Sequence, residues 1–215
     1  MKEYHKIPGP FKRYVDGPHK NELIPWSWTS PELEFLANVP WTFTEKIDGT
    51  NIRVIWDGHK PKFKGRTDKA QLPPKLLEAL EDMFLEELFE QKFGPQPVTL
   101  YGEGYGAGIQ KGGVYRPDPS FILFDVKIED WWLEHSDVLD VSYSLGIDTV
   151  PLSYTGTLRE AISAMAKYGY HSQVAIENGI DGEGWVGRPS VSLFSRKGDR
   201  IIVKLKVKDL YGLEV

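Results

Sequence analysis

One short stretch of the sequence combines residue types that can carry nucleophilic chemistry. The segment Glu45–Asn51, with the sequence EKIDGTN, places Lys46 at the end of a predicted strand and directly before an Asp-Gly turn. Such a turn would expose the lysine amine at the rim of a sheet. A free lysine amine has a pKa of about 10.4, so it acts as a nucleophile only where burial, a neighbouring cation or a metal lowers that pKa. Taken alone, the segment is also typical of a hairpin with a solvated lysine.

Charged residues recur near the ends of other predicted strands. Arg66 follows a glycine, Glu103 lies in a glycine-rich segment, and Glu183 directly precedes another glycine. Lys204 and Lys206 stand two positions apart on a predicted strand, so their side chains share a face and can converge on one phosphate. Each residue also has a simpler interpretation, because the basic residues suit a solvated edge strand and the two glutamates suit surface turns.

Together and in this order, these segments resemble the covalent nucleotidyltransferase superfamily of ligases and capping enzymes, and most closely its RNA-ligase branch. The resemblance runs from about Trp41 to Leu210, which is most of the chain. Six ordered matches are more specific than any one of them. They are Lys46–Gly49 with its extension Thr50-Asn51, Gly65–Thr67, Leu100–Gly104, Phe121–Val126, Glu183–Val186 and Val203–Lys206.

The resemblance implies a set of residue roles. Lys46 would attack the α-phosphorus of ATP, form a lysyl-AMP phosphoramidate and release pyrophosphate, and Glu183 would bind Mg²⁺ or Mn²⁺ near the phosphate. Phe121 would stack on the adenine ring, although the apolar pattern by itself favours a core position for it. The other implied contacts are Glu45 with adenine, Ile47 in the nucleotide site, Arg66 with ribose and phosphate, Glu103 with the ribose hydroxyls, Lys204 and Lys206 with the α-phosphate, and Asn51 near the polynucleotide end.

The function implied by this resemblance is ATP-dependent RNA ligation. AMP would pass from the lysine to a 5′-phosphate, and a 3′-hydroxyl would then displace it to form the phosphodiester bond. The partners are ATP and RNA ends, including the ends at a nick in a duplex. A minimal DNA ligase, or an enzyme that seals mixed strands, remains a close alternative. A non-catalytic nucleic-acid-binding module is the alternative from another class, whereas Thr50-Asn51 and the Glu103 segment disfavour a capping guanylyltransferase.

The predicted elements place these residues at strand ends. Alternating apolar residues predict strands over Thr42–Lys46 and Asn51–Trp56, and Asp57-Gly58 predicts a hairpin to a return strand over Lys60–Lys64. A four-residue apolar period predicts one helix from Pro74 to Gly94. The remaining predicted elements are strands over Val98–Tyr101, Phe121–Ile128, Gly184–Gly187 and Ile201–Val207, and helices over Asp137–Gly146 and Thr157–Tyr168, the last with a Thr157/Glu160 capping box.

Strands at both ends of the chain and helices in the middle indicate an α+β fold with mainly antiparallel sheets flanked by helices. The resemblance identifies this fold with the nucleotidyltransferase (ATP-grasp-like) domain of polynucleotide ligases. The 215 residues favour a single domain, 1–215, with an irregular lead-in over residues 1–40. We expect no separate C-terminal OB-fold or helical domain, and therefore modest, salt-sensitive nucleic-acid affinity.

Composition narrows the kinds of site and the cellular settings that the sequence allows. Cysteine is absent, which excludes disulfides, thiolate zinc sites and thiol nucleophiles. The 26 basic and 31 acidic residues give a formal net charge of −5, but the basic residues concentrate in Lys60–Lys69 and Arg196–Lys208, where they can face phosphates. No apolar run has the length of about 20 residues that spans a bilayer. We therefore expect a cytoplasmic, monomeric protein without membrane contact.

Overall fold

The computed structural model describes residues 3–215, which form two compact units. The first unit contains residues 3–5 and Ile47–Val150, and the second contains Lys6–Lys46 and Pro151–Val215. The expectation that the chain is a single domain stays a prediction. Lys46 is the last residue of one segment of the second unit, so the lysine and the turn that follows it belong to different units.

Twelve strands and six α-helices lie within residues 3–215. The strands are β1 (Phe11–Arg13), β2 (Leu23–Trp28), β3 (Pro40–Glu45), β4 (Thr50–Trp56), β5 (Pro61–Gly65), β6 (Val98–Tyr105), β7 (Ser120–Ile128), β8 (Trp131–Trp132), β9 (Asp148–Thr149), β10 (Leu152–Thr157), β11 (Gly184–Pro189) and β12 (Val203–Lys206). The helices are α1 (Pro31–Phe35), α2 (Pro74–Met83), α3 (Glu86–Phe93), α4 (His135–Leu145), α5 (Leu158–Tyr168) and α6 (Val207–Leu210).

The first unit is built on a sheet with the strand order β5-β4-β6-β7-β8, to which β9 adds in parallel beside β7. The predicted strands at β4, β5 and β7 are confirmed. Ile52, Val54 and Trp56 of β4 enter the core as their alternation predicted, and Arg53 and Ile55 on the other face are buried as well. Helices α2, α3 and α4 contribute apolar side chains to the same core. The residues that β4 and these helices bury there include Ile52, Val54, Trp56, Leu76, Leu80, Phe89, Val138 and Val141.

The single long helix predicted from Pro74 to Gly94 is wrong, because the chain breaks it at Phe84 and Leu85. Phe84 has φ −107° and ψ 73°, and Leu85 is extended with φ −71° and ψ 142°. The break lets Phe84 and Phe89 both enter the core, while Leu85 turns towards solvent. Two amphipathic helices in succession keep a similar apolar period, so the pattern did not reveal the break.

Strand β6 runs four residues beyond the predicted end at Tyr101, into the glycine-rich segment. The glycines there admit large neighbours to the core. A Cβ on Gly102 would lie 2.1 Å from Cζ of Phe121, and a Cβ on Gly104 would lie 2.6 Å from Cδ2 of Leu76. The glycines of this segment therefore serve sheet packing.

The second unit contains an antiparallel sheet with the order β10-β3-β11-β12 and a separate β1-β2 hairpin. Helix α5 begins with the predicted Thr157/Glu160 capping box, in which both reciprocal hydrogen bonds are present. Strand β12 is shorter than predicted, since it begins at Val203 rather than Ile201 and ends at Lys206 because Val207 starts α6. The predicted strands at β3 and β11 are confirmed.

An irregular lead-in was expected over residues 1–40, and within the described residues 3–40 this expectation is only partly right. The chain there forms β1, β2 and α1 between irregular stretches, and it buries Phe11, Trp28 and Leu33 in the core of the second unit. Three large apolar side chains supply enough buried surface to order a segment with little periodicity. The α+β class with antiparallel sheets flanked by helices is confirmed. Across residues 3–215, every helix is too short or too polar to cross a membrane.

Candidate active site

Three strand ends of the second unit meet at one edge of its sheet. Lys46 follows the last residue of β3, Glu183 precedes the first residue of β11, and Lys206 ends β12. Antiparallel pairing aligns these ends, since Gly184 pairs with Lys206, and the Lys46 amide donates to the Gly184 carbonyl at 2.9 Å. Register therefore brings together side chains that are more than 130 positions apart in the sequence.

Glu183 bridges two lysines at this edge. Lys46 Nζ donates to Glu183 Oε2 at 2.6 Å, and Lys206 Nζ lies 2.5 Å from Glu183 Oε1. The three side chains are 22%, 14% and 21% exposed for Lys46, Glu183 and Lys206, so the cluster is largely shielded yet open to solvent. An amine at the mouth of a partly buried ion cluster can reach an incoming substrate.

The neighbouring positive charges together have a larger effect than burial on the pKa of the carboxylate in this cluster. Burial alone raises the pKa of Glu183, but the positive charges and hydrogen bonds of Lys46 and Lys206 outweigh it and hold that pKa below its ordinary value. Burial, followed by the charges of Lys206 and Lys46, lowers the pKa of Lys204. Lys204 and Lys206 share one face of β12, as the alternation predicted. One carboxylate thus stands among three cationic side chains, which is an arrangement suited to binding phosphate.

Gly184 makes the close approach of β11 to β12 feasible. Its φ is +141°, and a Cβ at this position would lie 1.9 Å from the Leu205 carbonyl oxygen. Every other residue type would push the two strands apart at the point where Glu183 meets Lys206. The Glu183-Gly184 dipeptide is therefore a structural requirement of the cluster.

Glu45 is buried at 2% exposure and holds a neighbouring loop. Its carboxylate accepts hydrogen bonds from the Tyr170 hydroxyl at 2.9 Å, from the Gln173 amide at 2.9 Å and from the Ser172 hydroxyl. The structure thus gives Glu45 contacts that fix residues 170–173 against the end of β3. Its predicted contact with adenine remains a prediction.

Replacing Glu45 with alanine would leave three donors without their acceptor, and Lys46 would follow a strand end that is no longer anchored. We expect the free energy of unfolding to fall by about 2–4 kcal/mol, because buried donors then lack partners. Tyr170→Phe removes one of these hydrogen bonds and also the 2.9 Å hydrogen bond between the Tyr170 and Ser153 hydroxyls, so it should cost about 1–2 kcal/mol. Chemical denaturation measures both values. A Glu45→Ala protein within about 0.5 kcal/mol of the parent, the size of an ordinary surface substitution, would show that the loop does not depend on this carboxylate.

The first unit carries the other predicted site residues, and two of them lie side by side across its sheet. Asn51 on β4 pairs with Glu103 on β6, so the two side chains are neighbours on the face opposite the apolar core. Arg66 directly follows Gly65, which pairs with Ile52, and it is exposed. The side-chain oxygen of Asn51 is buried, and within residues 3–215 it has no hydrogen-bond partner. Such an atom is uncommon and calls for a functional or structural reason.

The turn after Lys46 is shaped by close packing in the first unit. A Cβ on Gly49 would lie 2.3 Å from the Gly104 carbonyl oxygen, so only glycine fits there. The Asp48 amide donates to the Tyr115 hydroxyl at 3.3 Å, and Ile47 is buried at 3% exposure. The Asp-Gly dipeptide therefore does more than form a turn, because it lets the chain pass directly beside β6.

Phe121 requires a correction, because it lies in the apolar core rather than on an open face. The side chain is 0% exposed, its ring covers Gly102, and it meets the Phe84 ring edge-on at 5.1 Å between centroids. Strand alternation places Ile122, the partner of Glu103, on the opposite face. A ring enclosed on all sides has no surface for stacking on adenine, so the core interpretation is the correct one for this residue.

Comparison with known families and solved structures identifies the chain's relationships. Residues 39–206 match the family model described as RNA ligase, which is more than half of the chain. The chain belongs to the RNA ligase family. A comparison with curated proteins gave no match.

Solved RNA ligases from Naegleria gruberi share the fold. A Lys-to-Ala mutant with ATP and Mn has a TM-score of 0.63 at 17% identity, covering 82% of this chain and 51% of that chain. An apo Asp-to-Ala mutant has a TM-score of 0.63 at 16% identity, and the match covers 85% of this chain and 52% of that chain. A Lys-to-Met mutant with AMP and Mn has a TM-score of 0.63 at 17% identity, and the match covers 82% of this chain and 52% of that chain. This chain therefore spans about half the length of the solved ligases that it matches.

A divalent metal has one suitable donor at the Lys46 edge of this RNA-ligase family member. Residues 3–215 contain no group of three or more histidine, cysteine, aspartate or glutamate side chains able to hold a metal by themselves. Glu183 supplies a carboxylate beside cationic side chains. Mg²⁺ is usually held by one or two carboxylates together with substrate phosphates and water, so a single carboxylate in a phosphate-binding setting fits that ion.

Sequence reasoning missed the residues that hold Glu45, which precedes Lys46, and the turn that follows Lys46. Tyr170, Ser172 and Gln173 anchor Glu45, and Tyr115 supports the turn. None of them lies in a segment that carries the resemblance to RNA ligases. The buried position of Glu45 within an alternating strand was the available signal, because a buried carboxylate must have hydrogen-bond donors nearby.

Proposed function

We propose that this member of the RNA ligase family is an ATP-dependent RNA ligase that carries AMP on Lys46. One observation carries the proposal. The amine of Lys46 lies at a shared strand edge, 2.6 Å from a carboxylate that also binds Lys206, with Lys204 on the same face of β12. Few structural roles require a lysine to share a carboxylate with another lysine beside a third one, whereas phosphate chemistry uses all of these groups.

The first step joins Lys46 to the nucleotide. After loss of a proton, Lys46 Nζ attacks the α-phosphorus of ATP, so a P–N bond forms while the bond to the pyrophosphate oxygen breaks. Lys204 and Lys206 bind the α-phosphate and neutralise charge on its non-bridging oxygens. Nucleotidyl transfer depends mainly on such positioning and charge neutralisation. Displacing Glu183 from Lys46 as phosphate arrives would free the amine for attack.

The resemblance to RNA ligases supports further roles for residues of the first unit. Glu103 binds the ribose hydroxyls, Arg66 binds ribose and phosphate, and Ile47 lines the nucleotide site. Asn51 acts near the polynucleotide end in the later steps. The buried, unpartnered amide oxygen of Asn51 and its position beside Glu103 support these roles, because both side chains offer hydrogen-bond acceptors on one face.

Glu183 is the residue that would hold Mg²⁺ or Mn²⁺. The ion supplies charge neutralisation at the phosphates when it is bound. The Naegleria gruberi RNA ligase structures with ATP and Mn and with AMP and Mn support the binding of a nucleotide and a divalent metal by this chain.

The later steps transfer AMP to a 5′-phosphate and then join a 3′-hydroxyl to that end with release of AMP. RNA is the proposed substrate because the chain belongs to the RNA ligase family. Sealing assays on single-stranded RNA, nicked duplex RNA and nicked DNA decide between RNA, DNA and mixed strands. Failure to seal RNA together with efficient sealing of nicked DNA would contradict the RNA assignment.

Nucleotide choice tests the proposal at its first step. We expect the protein, incubated with Mg²⁺ and either ATP or GTP labelled at the α-phosphate, to retain label from ATP on a denaturing gel. Label should disappear on addition of excess pyrophosphate, because the reaction is reversible. Label from GTP alone would indicate a capping-type activity, and no label from either nucleotide would indicate a non-catalytic binding module.

A further inference from the structure

A cavity of about 700 Å³ lies in the second unit, between the N-terminal residues 6–13 and the segment 204–210. We propose that this cavity, here called the lysine groove, binds the phosphate backbone of the RNA strand that is joined. The proposal rests on the proposed ligase function, and it assigns a binding surface to the RNA substrate of that function. Residues 6–13 lie outside the part of the chain that matches the RNA-ligase family model.

The groove is continuous with the Lys46 edge. Lys206 lines the groove and also contacts Glu183, the carboxylate that Lys46 binds. The N-terminal segment runs beside β12, since the Lys204 amide donates to the Pro8 carbonyl at 2.9 Å. A strand that lies in the groove would therefore reach the reactive lysine without leaving the second unit.

The charge of the groove is strongly positive. Six basic residues line it against one acid, Asp209, which pairs with Arg13 at 2.6 Å. Of the other five, Lys206 alone contacts a carboxylate, and for the remaining four no ion pair is found within residues 3–215. The positive charge of Lys6 adds to those of Lys206 and Lys46 in lowering the pKa of Lys204, so the cations are close enough to act together. The basic residues are Lys6, Lys12, Arg13, Lys204, Lys206 and Lys208.

The distribution of these cations favours a chain of phosphates over a single phosphate group. Lys12 and Lys208 are exposed and come from opposite walls of the groove, whereas the α-phosphate contacts are already assigned to Lys204 and Lys206. Solvated lysines spread along a groove neutralise successive phosphates of a backbone without reading bases. The volume falls within the range of about 300–1,000 Å³ that accommodates ligands of drug size, so it holds a short segment of strand.

The test compares two double variants of the full chain. Lys12→Ala/Lys208→Ala removes two groove lysines, and Lys20→Ala/Lys167→Ala removes two exposed lysines of the same unit that do not line the groove. Fluorescence anisotropy with a labelled, 5′-phosphorylated single-stranded oligoribonucleotide gives the affinity over a series of salt concentrations. Each lost phosphate contact lowers the salt slope by about 0.7, so the groove variant should lose about 1.4 in slope and about 25-fold in affinity at 0.1 M salt.

Three results would overturn the proposal. The first is equal loss of affinity in both double variants, and the second is absence of RNA binding by the parent protein at low salt. The third is unchanged RNA affinity with an increased KM for ATP in adenylylation, which would assign the groove to the phosphates of ATP. The anisotropy assay uses no ATP. Failure of AMP transfer to Lys46 would therefore overturn the proposed function while the binding data still report on the groove.

Discussion

Replacing Lys46 with alanine is expected to abolish transfer of AMP from ATP to the protein. The substitution removes the only group proposed to bond to the α-phosphorus, and loss of a catalytic nucleophile typically lowers the rate by at least about 10³-fold. Lys204 and Lys206 remain in the alanine variant, so ATP can still bind while the covalent step fails. Retention of labelled AMP on a denaturing gel measures the loss.

Lys46→Arg provides the matched control, because it separates a nucleophile from an ion-pair partner. Arginine keeps a positive charge beside Glu183 and can preserve the 2.6 Å contact made by lysine. Its guanidinium stays protonated and is not a nucleophile at neutral pH. We expect the arginine variant to melt near the parent temperature and to take up no AMP. Substantial AMP labelling of Lys46→Arg would show that another residue carries the nucleotide.

Replacing Glu183 with glutamine is expected to have the second largest effect. The amide keeps the shape of the side chain but removes the negative charge shared by Lys46 and Lys206, and it weakens the proposed binding of a divalent metal. Loss of one electrostatic group of this kind lowers rates by about 10²–10³-fold. Initial rates of lysine adenylylation at saturating ATP give the comparison with the parent protein.

The same substitution should also destabilise the ligand-free protein. Three cationic side chains would remain at one sheet edge without their shared counter-charge, which we expect to cost about 1–3 kcal/mol for a cluster that retains some solvent contact. Glu177→Gln, an exposed glutamate in the same unit, is the control and should behave like the parent in both measurements. A Glu183→Gln protein with near-parent adenylylation would remove this carboxylate from the mechanism.

The edge that carries Lys46 could be predicted from sequence because its determinants are local. Alternation predicted β3, β4 and β12, and the Asp-Gly and Glu-Gly dipeptides marked the strand ends. Once three strands are antiparallel neighbours, their register brings Lys46, Glu183 and Lys206 to one edge. Spacing within each strand therefore carried most of the information about this cluster.

The features that the sequence did not reveal depend on contacts between distant segments. The break at Phe84 follows from the way two helices pack on one sheet, and the apolar period is similar on both sides of it. Phe121 was assigned to adenine stacking, but pairing with β6 turns its ring onto Gly102 in the core. The role of the N-terminal segment at β12 likewise rests on packing that no periodic pattern records.

Identification of the adenylylated residue tests the central claim most directly. The parent protein is incubated with ATP and Mg²⁺, digested with a protease, and its peptides are analysed by tandem mass spectrometry under conditions that preserve the acid-labile P–N bond. We predict a single AMP adduct on Lys46. AMP attached to Lys204, Lys206 or any other residue, or an unmodified Lys46 in a protein that seals RNA, would contradict this account.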